Sequence, residues 1–288
     1  MVDDAAIFPP GSASLDRAVA DHVGHRDEEY GDLVGGFVVS DTKIADLAEL
    51  TAGLAELTAG GRAKSRPLDL NLVVTGGAGA IQPAVTWVSR SEGLTLRAVE
   101  FALRDEEDLA HNARRLVSVI DSLAEELDDV VVYAEPPVPE GEPTRGWLAA
   151  LDELAAREVH LKFRTGGMSA DLFPSALRLA RCFEAALDRE LPFKCTAGLH
   201  HAVRRRDEQT GFEHHGFLNV LLATRSSLDG QSPTEGAEVL EQTDGVVLAQ
   251  RLLDDPDEAA RTRRWFESFG SCSVLDAHED LVELGLLP

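Results

Sequence analysis

VHLKFRTGG, residues 159–167, and LPFKCTAGLHH, residues 191–201, decide how this chain is read. Each is a short apolar segment with one lysine near its middle, Lys162 in the first and Lys194 in the second. Between them, Ser169 to Arg189 has the apolar spacing of a helix, so the unit reads strand, helix, strand. An ammonium group buried in an apolar strand is costly, and its presence there asks for a reason. The chain has only four lysines, Lys43, Lys64, Lys162 and Lys194, against 23 arginines, and it puts half of the lysines in these two segments. That placement is the strongest functional signal in the sequence.

Working outward, the same alternation recurs. Candidate strands are AAIF (5–8), GFVVS (36–40), LDLNLVVTGG (68–77), LRAVEFALR (96–104), VVVYAEPP (130–137), GFLNVLLAT (216–224) and FGSCSV (269–274). Helical spacing is expected over Ser14–His25, over Ile44–Ala59 ended by Gly60-Gly61, over Glu106–Leu127, and over Arg145–Ala156. A helix over 237–253, a final one from Pro256 to Phe266 and a short terminal one complete the reading, with 237–288 taken as C-terminal helices and a last short strand. Eight or nine strands alternating with helices predict a single α/β domain over 1–288, a (β/α)8 TIM-like barrel; an open doubly wound parallel sheet is the alternative. No glycine-rich dinucleotide fingerprint follows the first strand, which favours the barrel. TGGAGA (75–80) matches no phosphate-binding motif and reads as a loop.

Strand side chains alternate, so residues two apart share a face. Lys162 and Arg164 therefore point one way, with Leu161 and Phe163 against the helices. The same rule turns Lys194 and Thr196, Tyr133 and Glu135, and Glu100 toward the barrel interior, and Asn219 interrupts the apolar run 216–224. Thr165 ends its strand, and His200 and His201 lie just past theirs. Several strands thus converge on one polar cavity. A buried ion-pair network that only holds the barrel together is the structural alternative, although such networks contribute little net stability.

At this point the two lysine strands resemble class I aldolases of the deoxyribose-phosphate aldolase type, which carry a K-x-x-T-G motif and, one helix later, K-A-S-G-G. Here the matching residues are Lys162-Phe-Arg-Thr165-Gly166 and Lys194-Cys-Thr-Ala-Gly198, over about 40 residues. The sequence departs at Arg164, where the family has a small residue, and after Gly198, where the family's glycine-rich phosphate site is replaced by Leu-His200-His201. The resemblance implies a Schiff base at Lys162, with Lys194 lowering its pKa by like-charge proximity. Glu100, Glu135 or Tyr133 would move protons, and Arg164, Thr165, Thr196, His200, His201 and Asn219 would contact substrate. The expected reaction is aldolase-like lyase chemistry on a small anionic carbonyl metabolite, phosphorylated or carboxylated. Lysines of ordinary or high pKa would instead favour a lyase, isomerase or transferase that uses the same groups as anion clamp and acid/base, or a barrel that only binds a ligand.

Other constellations carry less. His200, His201, His214 and His215 fall close together, but adjacent histidines in one loop point apart and neither HExxH nor HxH is present, so no metal or other cofactor is expected. GSCS (270–273) reads as a structural turn. Cys182, Cys195 and Cys272 lack metal or disulfide spacing and fit a reducing cytoplasm. With 51 Asp and Glu against 27 Lys and Arg the formal charge is −24, which disfavours nucleic acid and suits a salt-adapted, halophilic cytoplasm. No signal peptide or membrane span is expected, and the sequence leaves room for a homo-oligomer.

Overall fold

The alternation closes on itself. A computed structural model describes residues 2–58, 66–104 and 107–288. In it eight parallel strands form a closed barrel: β1 Val2–Asp4, β2 Val34–Ser40, β3 Leu68–Val74, β4 Leu94–Ala102, β5 Val131–Glu135, β6 His160–Arg164, β7 Phe193–Thr196 and β8 Phe266–Ser271. Each strand pairs with its sequence neighbour, and β1 pairs with β8 to complete the ring. A (β/α)8 barrel is the result. Between the strands run α1 Leu15–Asp27, α2 Ile44–Thr58, α3 Ile81–Ser89, α4 Leu109–Ser122, α5 Arg145–Ala155 and α6 Ala176–Leu187. Four helices separate β7 from β8: α7 Phe217–Leu228, α8 Pro233–Glu241, α9 Gly245–Asp254 and α10 Pro256–Thr262; α11 Val274–Glu283 follows the last strand. Gly60-Gly61, expected to end α2, and Glu106, expected to start α4, lie outside the described residues.

The core lies between barrel and helices. Leu161, Phe163, Phe193 and Cys195 point outward, and Phe183 of α6 stacks on Phe193 with ring centroids 4.7 Å apart. Phe217 of α7 stacks on Phe269 of β8 at 4.7 Å. Aromatic pairs of this kind contribute about 0.5–1.5 kcal/mol each beyond the area they bury. They pin α6 to β7, which carries Lys194, and α7 to the neighbouring β8.

Four local expectations differ from the structure. The first strand is Val2–Asp4, and AAIF turns away from it. Two acidic residues in a row weigh against a strand by propensity, yet Asp3 and Asp4 are both buried because each finds a buried basic partner, Lys194 and His22. Residues 216–224 form a helix instead of a strand, with nine of the residues in α7 buried. A continuous apolar run fits either state when every side is covered, and here barrel and α8 cover it. The expected helix over 169–189 begins only at Ala176, capped by the Ser175 hydroxyl. Pro174 disfavours helical backbone at Phe173, so the preceding turn, Ala170–Leu172, is a separate 3-10 segment. Similarly, 237–253 divides into α8 and α9, the second capped by Asp244.

Candidate active site

Parallel pairing of β6 with β7 sets Lys162 directly beside Lys194, and Arg164 beside Thr196. Pairing of β4 with β5 sets Glu100 beside Tyr133. All of these face the barrel axis, because the intervening residues belong to the outer core. Two cations side by side in a dry interior repel, and three carboxylates answer them. Glu100 bridges the lysines: Lys162 Nζ lies 2.6 Å from its Oε2 and Lys194 Nζ lies 2.7 Å from its Oε1. Glu135 takes Lys162 at 3.1 Å on one oxygen and Arg164 Nε at 2.9 Å on the other. Asp3 pairs with Lys194, accepts the Gly36 amide at 3.1 Å and accepts the Ser268 hydroxyl at 2.7 Å. A side chain at Gly35 would put its Cβ 2.3 Å from the Asp3 carboxylate, so glycine there makes room for this third acid.

The result is an electrically balanced chain of six groups, Asp3, Lys194, Glu100, Lys162, Glu135 and Arg164. Burial alone would push Glu100 up, but the two ammonium groups overcome it and hold the carboxyl down at about 2. Burial would likewise push both lysines down. The carboxylates prevail, through Glu100 and Glu135 for Lys162 and through Asp3 and Glu100 for Lys194, so both pKa values rise. This corrects the expectation that Lys194 depresses Lys162: one cation is outweighed by the acids around it. Glu135 is held low by Lys162 and Arg164 in spite of its burial.

Above this chain, at the C-terminal ends of the strands, a cavity of about 390 Å³ opens. Lys162, Glu100, Glu135, Arg164, Thr196 and His200 line it. The lysines differ here: the Lys162 side chain keeps 5% exposure and reaches the cavity, whereas Lys194 keeps 1% and lies beneath. His200 is held neutral, its pKa pushed down to about 4 by burial and by His214. Its Nδ1 lies 3.4 Å from both the Cys272 sulfur and the Ser271 hydroxyl at the end of neighbouring β8.

Four expected residues sit elsewhere or act structurally. Tyr133 lies on the floor, with Lys194 Nζ 5.2 Å above its ring, and its hydroxyl donates to Glu267 at 2.9 Å; burial and Glu267 raise its pKa. Thr165 is fully buried and donates to the carbonyls of Thr196 and Ala197, tying β6 to the turn after β7. His201 turns to α11, where Asp280 lies 3.2 Å from its ring nitrogen. Asn219 rides on α7, because its segment is helical, and is consumed by the Arg204 amide and the carbonyls of Val239 and Gln242, each at 2.8 Å. The 75–80 loop is no open cradle either, since Asp41 accepts from the Thr75 amide at 3.0 Å and the Gly76 amide at 3.3 Å.

Asp3 is the participant that sequence reasoning missed. A usable signal existed in charge accounting: Lys162, Lys194 and Arg164 need three acids, and the inward set from strands supplied only Glu100 and Glu135. Among the described residues no three His, Cys, Asp or Glu side chains are grouped to hold a metal ion, and no helix is long and apolar enough to cross a membrane. Comparison with protein-family models, with curated proteins and with solved structures finds no match. Function therefore has to be argued from the site itself.

Proposed function

We propose that this protein is a lyase that makes or breaks a carbon–carbon bond in a small carbonyl metabolite through a Schiff base on Lys162. One observation carries the reading: two in-register lysines share a single buried carboxylate, and only one of them reaches the cavity. An amine must be unprotonated to attack a carbonyl. Lys162 rests as an ammonium, but two proton acceptors, Glu100 and Glu135, touch it at 2.6 and 3.1 Å. As a carbonyl compound displaces water from the cavity, the ion pair loses solvation and the neutral amine–acid pair gains on it. Lys194 keeps Glu100 in place beneath. The acid so formed can then protonate the departing hydroxyl of the carbinolamine. Arg164 and Thr196 at the rim suit an anionic group on the substrate, and the likeness of the two lysine motifs to class I aldolases supports the same chemistry.

A second reading draws support from the raised pKa of both lysines. In it Lys162 stays an ammonium, polarises a carbonyl, and Glu135 removes the neighbouring carbon-bound proton. Reductive trapping separates the two. The protein would be treated with cyanoborohydride and a panel of short aldehydes, ketones and oxo acids, then mapped by peptide mass. The Schiff-base reading expects a reduced adduct on Lys162, absent in Lys162→Arg. Because the neutral fraction grows about tenfold per pH unit below a raised lysine pKa, trapping should accelerate from pH 7 to 9. No adduct on the folded protein at any of these pH values would leave the non-covalent reading.

A further inference from the structure

Lys162 reaches the cavity from below, but a bond-breaking step needs a base on the wall as well. We propose that His200 is the catalytic base that takes the proton from the hydroxyl of a β-hydroxycarbonyl substrate; the assignment rests on the Lys162 reading and narrows its substrate class.

The geometry begins with Ser271, at the end of β8. Its hydroxyl donates to the Ser273 carbonyl at 2.9 Å and accepts the Ser273 amide at 3.2 Å. Toward His200 Nδ1, 3.4 Å away, Ser271 can therefore only accept, and with the Cys272 sulfur, also 3.4 Å from Nδ1, as a second acceptor this pairing assigns the ring proton to Nδ1. The lone pair is left on Nε2, which among the described residues meets the Cys272 sulfur alone, at 4.0 Å. Burial raises the Cys272 pKa, so the thiol stays neutral and does not compete as an anion. The charged and titratable groups around the ring are His201 and His214 on one side and Asp276 and Asp207 on the other; burial with the two histidines outweighs the acids and keeps the imidazole neutral. A neutral imidazole with a free Nε2, on the wall of the same cavity as Lys162, is a base in its working state. Among the described groups His200 is left for that duty: once the carbinolamine has lost water Glu100 and Glu135 are carboxylates again, paired with the cationic Lys162 nitrogen, Arg164 and Lys194, while Lys194 and Asp3 are sealed beneath.

With the substrate carbonyl carbon joined to Lys162 Nζ as an iminium, His200 Nε2 accepts the β-hydroxyl proton. The O–H electron pair becomes the second bond of a new carbonyl, the bond between the α and β carbons breaks, and its pair forms an enamine that neutralises the iminium nitrogen. The aldehyde or ketone fragment leaves. His200 returns its proton to the enamine α carbon, and water hydrolyses the restored iminium. No oxidant, reductant or metal is consumed.

Two readouts test this on the whole protein. Pyruvate, which lacks the hydroxyl, measures adduct formation on Lys162 by cyanoborohydride; 4-hydroxy-2-oxopentanoate and 4-hydroxy-4-methylpentan-2-one measure cleavage. In His200→Asn and His200→Gln, pyruvate trapping should persist, which also reports that the site has folded, while cleavage falls on the order of 10²–10⁴-fold, as for loss of a positioned general base. Cleavage kept within tenfold in both variants would overturn the assignment while leaving Lys162 untouched. Wild-type protein that traps pyruvate yet cleaves neither hydroxylated probe would also overturn it. Wild-type protein that never traps would overturn the Lys162 reading instead, and the inference with it.

Discussion

Glu100 is the residue on which the site turns, because one carboxylate separates two buried ammonium groups and its own pKa is held at about 2 by them. Neutralising it removes the carboxylate that, among the described residues, pairs with both lysines. Glu100→Gln should cost about 3–5 kcal/mol of stability, the usual penalty for leaving buried charges uncompensated, read as a lower urea midpoint without a change in slope. The pKa of Lys162 should fall in the same variant, since Glu100 is the first of the acids that raise it. Trapping by pyruvate at pH 7 should then be faster per folded molecule than in the wild type, a combination that a purely structural ion pair would not produce. At this scale the sequence was informative where alternation applied: Lys162, Glu100 and Glu135 were all placed inward by counting twos along strands whose outer residues are plainly apolar. Asp3 escaped because a three-residue strand offers no alternation to count, and His201 escaped because nothing in an HH pair says which ring faces the barrel.

Among the elements, α7 shows where pattern reading stops. Its first seven residues, Phe217–Ala223, form an apolar run interrupted by one asparagine, and the run gives the same signal for a buried strand and for a helix covered on all sides. The asparagine belongs to the second case. Asn219 holds three backbone groups, the Arg204 amide and the carbonyls of Val239 and Gln242, and so joins the loop after β7 to the end of α8. Asn219→Ala should cost roughly 1–3 kcal/mol for each buried partner that cannot find water. Hydrogen exchange should quicken first at the amides of Arg204 and of the α8–α9 junction, and pyruvate trapping per folded molecule should stay unchanged. A loss of trapping in a variant that remains folded would return Asn219 to the substrate-contacting set. The strands on either side of the lysines were legible for the opposite reason: glycine, proline or acidic turns bound them closely, and only one assignment fits runs so short.

For the whole molecule, charge is divided between two regimes. The chain carries 51 acidic and 27 basic residues, yet the six groups around the lysines cancel one another. Surface repulsion is screened by salt, with a Debye length of about 3 Å at 1 M against about 10 Å at 0.1 M. Buried pairs are screened far less. The thermal midpoint should therefore climb steeply between about 0.1 and 1 M KCl, while the pH dependence of Lys162 trapping stays where it is. A midpoint that ignores salt would contradict the reading of the surface as salt-adapted. Composition made the surface half of this visible at once; the internal balance needed the register of five strands.

Asp3 and Lys194 stand 191 residues apart in the chain, and β1 is locked in place by β8, Val2 against Phe269. Until β8 is available, β7 has an open edge and β1 has no second neighbour, so Lys194 faces the interior without its first carboxylate. Such a distant pairing is among the last that a folding chain completes, since the loop it closes spans nearly the whole protein. The six-group balance is thus missing from every partly built form. A nascent or nicked chain that has not brought β1 to β8 lacks the Asp3–Lys194 pair, and the balance of buried charge is completed only together with closure of the ring.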